Sequence, residues 1–293
     1  MIVTTAGLRK EYGDTVALGG IDLAVPEGSI YGLVGPTGAG KTTLLGILSG
    51  LRRPSAGTMH LGVGPDRMAV LPDTPQFEPW LTAREVVDLA RVLTAPGLNP
   101  DRVDAMLGLA GLDDAADRRV GGFSRGMLQR LGIAAAVVGD PDLLLLDEPC
   151  SALDPFGRRE VLDLVARLRG RATVIFSSHI LSDIQEVSDT VGILRGGELL
   201  FQGPLEDLLV GRAVPAYVVR VRNPELDLAA ALRDEPWAGA VTSPAPGEWR
   251  VEVASLAGAE ERLAAVLAGI GARVISLGPA AVTLEQVFLE VTS

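Results

Sequence analysis

Residues Gly35-Pro36-Thr37-Gly38-Ala39-Gly40-Lys41-Thr42 fit the spacing G-x-x-x-x-G-K-[ST], the signature of a phosphate-binding P-loop. Gly35, Gly38 and Gly40 let successive backbone N–H groups turn toward one anion. The apolar run Ser29–Val34 precedes the loop, and the helix-compatible run Thr43–Leu48 follows it. A helix that starts at the loop adds unpaired N–H groups and the positive end of its dipole. The chemistry expected of residues 35–43 is therefore to hold nucleotide phosphates. Pro36, Thr37, Ala39 and Thr43 complete the loop. Lys41 is expected to reach the β- and γ-phosphates, and the Thr42 hydroxyl to ligate Mg²⁺.

Two further stretches fit around such a loop. Leu143–Leu146 is an all-apolar run followed by Asp147 and Glu148. A strand buried on both faces would deliver these carboxylates to a sheet edge. Asp147 would then hold Mg²⁺ through water, and Glu148 would take a proton from the attacking water as general base. Ser177-Ser178-His179 ends another apolar run, on the side where ligands bind in such sheets. His179 there can donate to a γ-phosphate or orient water. In Phe123-Ser124-Arg125-Gly126-Met127, Ser124 and Gly126 open a helix whose start can also face a phosphate. With a P-loop already present, that second start makes sense if it serves a nucleotide on another copy of the chain.

The elements that must position these residues alternate along the chain, which argues for an α/β layer fold. Strands are expected at Ile2–Leu8, Val16–Val25 and Ser29–Val34. A mostly helical block follows at about 73–140, with apolar spacing in Arg84–Leu93, Pro100–Leu109 and Met127–Val138. Beyond it come strand Leu143–Leu146, helix Pro155–Arg169 and strands Ala172–Ser177, Val191–Leu194 and Glu198–Phe201. A shift near 211–215 divides the chain into a domain at 1–212 and a smaller one at 213–293. In the latter, strand Ala216–Val221, helix Leu226–Asp234, strands Ala240–Ser243 and Glu248–Val253, helix Ala259–Ile270 and strand Arg273–Leu277 read βαββαβ, the ferredoxin-like α+β pattern. Thr283–Val291 is expected as a last helix. Tyr217, Trp237, Trp249 and Phe288 are read as core residues.

Composition bounds the answer. The 293 residues are 47% hydrophobic and 22% charged, as in a globular protein with a large core. No run reaches the ~18 apolar residues a membrane-spanning helix needs. The N-terminus lacks a basic and apolar leader, and the single cysteine, Cys150, leaves no intramolecular disulfide. A cytoplasmic location is the expectation. A net charge of −11 argues against nucleic acid as a partner and against a polybasic membrane contact. Work at a membrane would need another protein as the anchor. Cys150 reads as a packing residue.

These residues together resemble the nucleotide-binding subunits of ATP-binding cassette (ABC) transporters over about residues 1–210. Gly35–Thr42 stands at the Walker A motif, Leu143–Asp147 with Glu148 at Walker B, and Ser124-Arg125-Gly126 at the signature motif. Ser151-Ala152-Leu153-Asp154 stands at the D-loop, and His179 at the switch histidine. The resemblance implies a P-loop NTPase cassette, a mixed sheet with a helical subdomain. It implies ATP and Mg²⁺ as cofactors, Tyr12 stacked on adenine, and contacts to nucleotide from Ser124, Gly126 and Asp154. It also implies two copies sandwiching ATP head to tail, with Lys41, Glu148 and His179 catalytic. An integral-membrane permease on a separate chain would hold the pair at the inner face of the membrane.

Two departures stand out. Leu71-Pro72-Asp73 puts Asp73 where the family has a glutamine that contacts Mg²⁺ and the permease. Asp73 can still bind Mg²⁺ or its water, but an ionised carboxylate cannot donate. In the signature, Arg125 and Met127 replace glycine and glutamine. The Leu-Pro-acid loop and the C-terminal region, ending in Leu284-Glu285-Gln286-Val287-Phe288, resemble the drug and antibiotic exporter branch. The implied function is an ATP-hydrolysing exporter subunit, with the loop Asp73–Trp80, including Phe77 and Trp80, as the docking groove. A soluble ABC ATPase of translation, repair or cofactor assembly, and a non-hydrolysing ATP sensor, are the alternative readings.

Overall fold

The computed structural model describes residues 1–210, 215–254, 256–280, 284–285 and 287–288. They form two compact units. One is Met1–Leu208 with the described residues from Leu284 onward; the other is Leu209–Thr283.

A six-stranded sheet organises the first unit. Its order is Glu198–Pro204, Thr190–Arg195, Ile30–Val34, Thr173–Ser178, Leu143–Leu146, Met68–Leu71. The five strands from Thr190–Arg195 onward run parallel, and Glu198–Pro204 is antiparallel to its neighbour. Every residue of Ile30–Val34, Leu143–Leu146 and Thr173–Ser178 is buried. Covering both faces requires continuous apolar strands rather than alternation, and Leu143–Leu146 is such a strand. A second, antiparallel sheet pairs Val3–Tyr12 with Thr15–Ile21, Ala24–Val25 and Ala56–Leu61. Gly13, at φ 57°, makes the two-residue hairpin turn between Tyr12 and Thr15. Leu8, Leu18 and Ile21 of this sheet pack with Leu33, Leu145 and the helix Lys41–Leu48 in one core.

The helical block expected at 73–140 contains helices Ala83–Thr94, Arg102–Leu109 and Arg125–Val137. Thr82 starts the first with a capping box. Its hydroxyl accepts from the Glu85 N–H at 3.2 Å, and Glu85 accepts the Thr82 N–H at 2.7 Å. Strands Ala56–Leu61 and Met68–Leu71 and helices Leu181–Val187 and Leu205–Val210 lie outside the sequence expectation. Each is short, and Ala56–Leu61 has no fully buried residue, so neither period stands out.

In the second unit, strands Ala216–Val221, Ala238–Ala245, Glu248–Val253 and Val274–Pro279 form an antiparallel sheet. Its order is Ala238–Ala245, Glu248–Val253, Ala216–Val221, Val274–Pro279. Helices Leu228–Leu232 and Leu256–Gly269 complete the βαββαβ order. Tyr217, Trp237 and Leu263 are buried in its core, with Trp249 packed against them. The sequence boundary at 212/213 lies outside the described residues. Of the last helix expected at Thr283–Val291, Leu284, Glu285, Val287 and Phe288 are helical and the rest lies outside the described residues. The Leu284 N–H donates to Gln185 Oε1 at 2.7 Å, which ties this end of the chain to the first unit. Among the described residues, no helix is long and apolar enough to cross a membrane.

Leu145 lies in the strand beside the edge strand Met68–Leu71 and is fully buried. Leu145→Ala should lower unfolding stability by about 3 kcal/mol, read as an earlier urea midpoint at unchanged slope.

Candidate active site

Strand Ile30–Val34 ends at Gly35, and the chain then wraps into the loop. A Cβ on Gly35 would lie 2.0 Å from the Leu194 carbonyl oxygen, so this glycine is required by the neighbouring strand's backbone. Gly40 has φ 110° and lies against Ala17 and Leu18, so both its backbone and its surroundings exclude a side chain. It caps the helix Lys41–Leu48 with no side-chain hydrogen bond. The N–H groups of that helix start stay available to an anion.

Lys41 is only 6% exposed. Its ammonium donates to the Gly35 carbonyl at 2.7 Å and the Pro36 carbonyl at 3.2 Å, and it pairs with Glu148 Oε1 at 3.0 Å. The other Glu148 oxygen lies 2.7 Å from His179 Nδ1. One carboxylate thus holds both the loop lysine and the histidine of a different strand. Glu148 has φ 47°, a left-handed conformation that costs a non-glycine residue about 1–2 kcal/mol. Its N–H donates to Ser177 Oγ at 2.9 Å, and the Ser177 hydroxyl donates to Asp147 Oδ1 at 2.7 Å. Buried Ser177 therefore fixes both acidic residues at once. The sequence reading gave Ser177 no role. Its signal is a hydroxyl directly after the apolar run Val174–Phe176 of a fully buried strand.

A cleft of about 370 Å³ opens in front of this group. Thr37, Gly38, Ala39, Gly40, Lys41, Thr42, Thr43, Asp73, Glu148 and His179 line it, joined by Ser151 of the D-loop stretch and by Ala17, which the sequence reading did not select. Gly35 and Pro36 act from behind through their carbonyls. Asp73 Oδ1 is buried without a hydrogen-bond partner. The Asp73 carbonyl accepts from Gln129 Nε2 at 2.6 Å, and Gln129 is fully buried on the helix Arg125–Val137. This link between the Asp73 loop and the signature helix was also missed in the sequence, where Gln129 reads as an ordinary helical polar residue. The open helix start fits phosphate. The oxygen donors Thr42, Asp73 and Asp147 fit a hard cation such as Mg²⁺. Among the described residues, no group of three or more His, Cys, Asp or Glu side chains is placed to hold a metal ion.

Other expected residues lie elsewhere. Tyr12 does not line the cleft. Lys10 Nζ sits 4.8 Å from its ring centre, and its hydroxyl accepts from Arg52 at 2.7 Å. Ser124 caps the helix Arg125–Val137 by accepting the Met127 N–H, and Asp154 caps Pro155–Ala166 by accepting the Gly157 N–H. Gly126 lies at the crossing of these helices, where its Cβ position is 3.6 Å from Gly157 Cα. Phe77 lines a separate groove of about 390 Å³ with Leu71, Pro75 and Ala135, and Trp80 is exposed. Burial pushes the Cys150 thiol up to about 12, and nearby Asp183 adds to the shift. At neutral pH this residue is a packed thiol, not a nucleophile.

The ABC transporter family profile matches residues 18–151. The ABC transporter ATP-binding protein YxlF of Bacillus subtilis is 36% identical, covering 84% of this chain and 85% of its own length. The bacitracin transport ATP-binding protein BcrA of Enterococcus faecalis is 35% identical over 71% of this chain and 70% of its own. Among solved structures, an ATP-binding subunit of an ABC transporter superposes with a TM-score of 0.64 at 26% identity, over 72% of this chain and 93% of that one.

Ser177→Ala removes the shared anchor of Asp147 and Glu148, at about 1.5–3 kcal/mol for a hydrogen bond to a charged group. Steady-state kinetics should show kcat for ATP reduced by about tenfold or more, with KM little changed.

Proposed function

The chain belongs to the family of ABC transporter ATP-binding proteins, and we propose that it is the ATP-hydrolysing subunit of an exporter, two copies of which drive a separate membrane-spanning permease. The observation that carries this reading is the Lys41–Glu148–His179 group beside an uncapped helix start.

The geometry supplies a sequence of events. Lys41 is held by two loop carbonyls and by Glu148. The β- and γ-phosphates of ATP offer Lys41 stronger acceptors, in the cleft and on the helix N–H groups. Moving Lys41 onto them releases Glu148 Oε1. That oxygen can then take a proton from the water that attacks the γ-phosphorus, while His179 on Oε2 holds the carboxylate in place and donates to the γ-phosphate. Thr42, Asp147 and Asp73 would hold Mg²⁺, which supplies charge neutralisation on the phosphates. Tyr12 would stack on the adenine. Ser124 and Gly126 would reach the nucleotide of the second copy, with Asp154 beside them.

Closing the two copies does work only if ATP binds the closed pair better than the open one. We read the permease that uses this closure as a separate chain, docked near the Phe77 groove and Trp80. The resemblance of the Leu71-Pro72-Asp73 loop to the exporter branch favours export over uptake.

Glu148→Gln keeps the shape but removes the base. It should lower the hydrolysis rate by at least about 100-fold while retaining MgATP. Tagged Glu148→Gln protein, pulled from detergent-solubilised native membranes with MgATP, should bring down a polytopic membrane chain. Wild-type turnover in the variant, or soluble partners alone, would overturn the reading.

A further inference from the structure

We infer that Phe156, beside Ser124 and Arg125, is the apolar anchor on which a second copy of this chain closes. The inference rests on the two-copy reading above and adds to it the residue that grips.

Phe156 is 75% exposed, in the first turn of the helix Pro155–Ala166. An exposed aromatic alone is ordinary; its position is what matters. Helices Arg125–Val137 and Pro155–Ala166 meet at Gly126 and Gly157, where a Cβ on Gly126 would lie 3.6 Å from Gly157 Cα. Further along both helices, Arg130 pairs with Glu160 at 3.4 Å. The order of contacts is the same on both helices, so they run in the same direction with their starts side by side. Ser124 and Phe156 therefore share one end of the pair, and Ser124, Arg125, Asp154 and Phe156 are all exposed there. Glycine at 126 and 157 lets the two starts approach closely enough to form one surface.

The charge and the position of that surface name its occupant. Neither first turn contains an acidic residue, both helix starts present their positive dipole ends, and Arg125 adds a cation. Asp154 alone opposes this, and its carboxylate is occupied by the Gly157 N–H. The cleft is lined by Asp73 and Glu148, with Lys41 paired to Glu148, and becomes more negative when it holds phosphates. The surface of one copy is thus complementary to the loaded cleft of another. The surface is also continuous with the cleft rim. Ser151 lines the cleft, and Ala152, the next residue, is exposed at φ 52°. The five steps from Ser151 to Phe156 span at most about 17 Å. An aromatic at such a rim can bury against a second copy at low entropy cost, as interface anchors do.

The test measures dimerisation by sedimentation with MgATP in Glu148→Gln protein, which does not turn over. The parent should dimerise. Adding Phe156→Ser should raise the dimer Kd by about tenfold or more, while Phe156→Tyr restores it. The affinity of dilute, monomeric protein for a fluorescent ATP analogue and the Tm should stay unchanged, because Phe156 lies outside the cleft and the core. An unchanged dimer Kd in the Phe156→Ser protein would overturn the anchor alone. So would an intact dimer that no longer binds the permease, which would assign Phe156 to the membrane partner. A parent that stays monomeric with MgATP would overturn the two-copy reading itself.

Discussion

Three parallel strands buried on both faces set the position of everything else in the site. Ile30–Val34, Thr173–Ser178 and Leu143–Leu146 lie side by side, with Val34 opposite Ser178 and Leu146 opposite Phe176. Their ends are therefore level to within about two residues. Three chain segments leave the sheet at that edge: the phosphate loop, the acidic pair Asp147 and Glu148, and His179. A parallel sheet with both faces covered has no slack for a polar group, so each one at the exit needs a partner. Ser177 meets this need for Asp147 and for the Glu148 backbone together. Strand packing and active-site geometry are one constraint.

The Lys41–Glu148 pair is the second consequence. A largely buried ion pair gains little net stability, because desolvation offsets its attraction. The pair joins the loop lysine to the carboxylate proposed as general base, and the other oxygen of that carboxylate lies on His179. The left-handed Glu148 backbone, at φ 47°, keeps the carboxylate aimed at both partners. The strain is stored where the chemistry needs it.

Much of this was legible in the sequence, for a local reason. The P-loop spacing, the all-leucine strand and the Ser-Ser-His run are each contiguous, and each sits at the end of an apolar segment. Chain order does not match spatial order here, because Thr173–Ser178 pairs between Ile30–Val34 and Leu143–Leu146, but all three strands end at the same edge. Contacts that depend on distant residues were not legible. Ser177 bridging two acidic residues, Gln129 holding the Asp73 carbonyl and Gly126 meeting Gly157 all join separate segments, and none has a spacing signature. Gly35 illustrates the limit. The motif identified it correctly as glycine, but the physical reason is the Leu194 carbonyl 2.0 Å from its missing Cβ, not only the phosphate. The edge strand Met68–Leu71 and the seven-residue helix Leu181–Val187 escaped because they are too short to display a period.

The central claim is that one chain holds only half of each hydrolytic site, with the P-loop, Glu148 and His179 in one copy and Ser124 in the other. The most direct measurement is ATP hydrolysis per mole of protein as a function of protein concentration at saturating MgATP. The account requires specific activity to rise with concentration and then level off as the pair saturates. Specific activity independent of concentration, in protein that sediments as a monomer throughout, would contradict it.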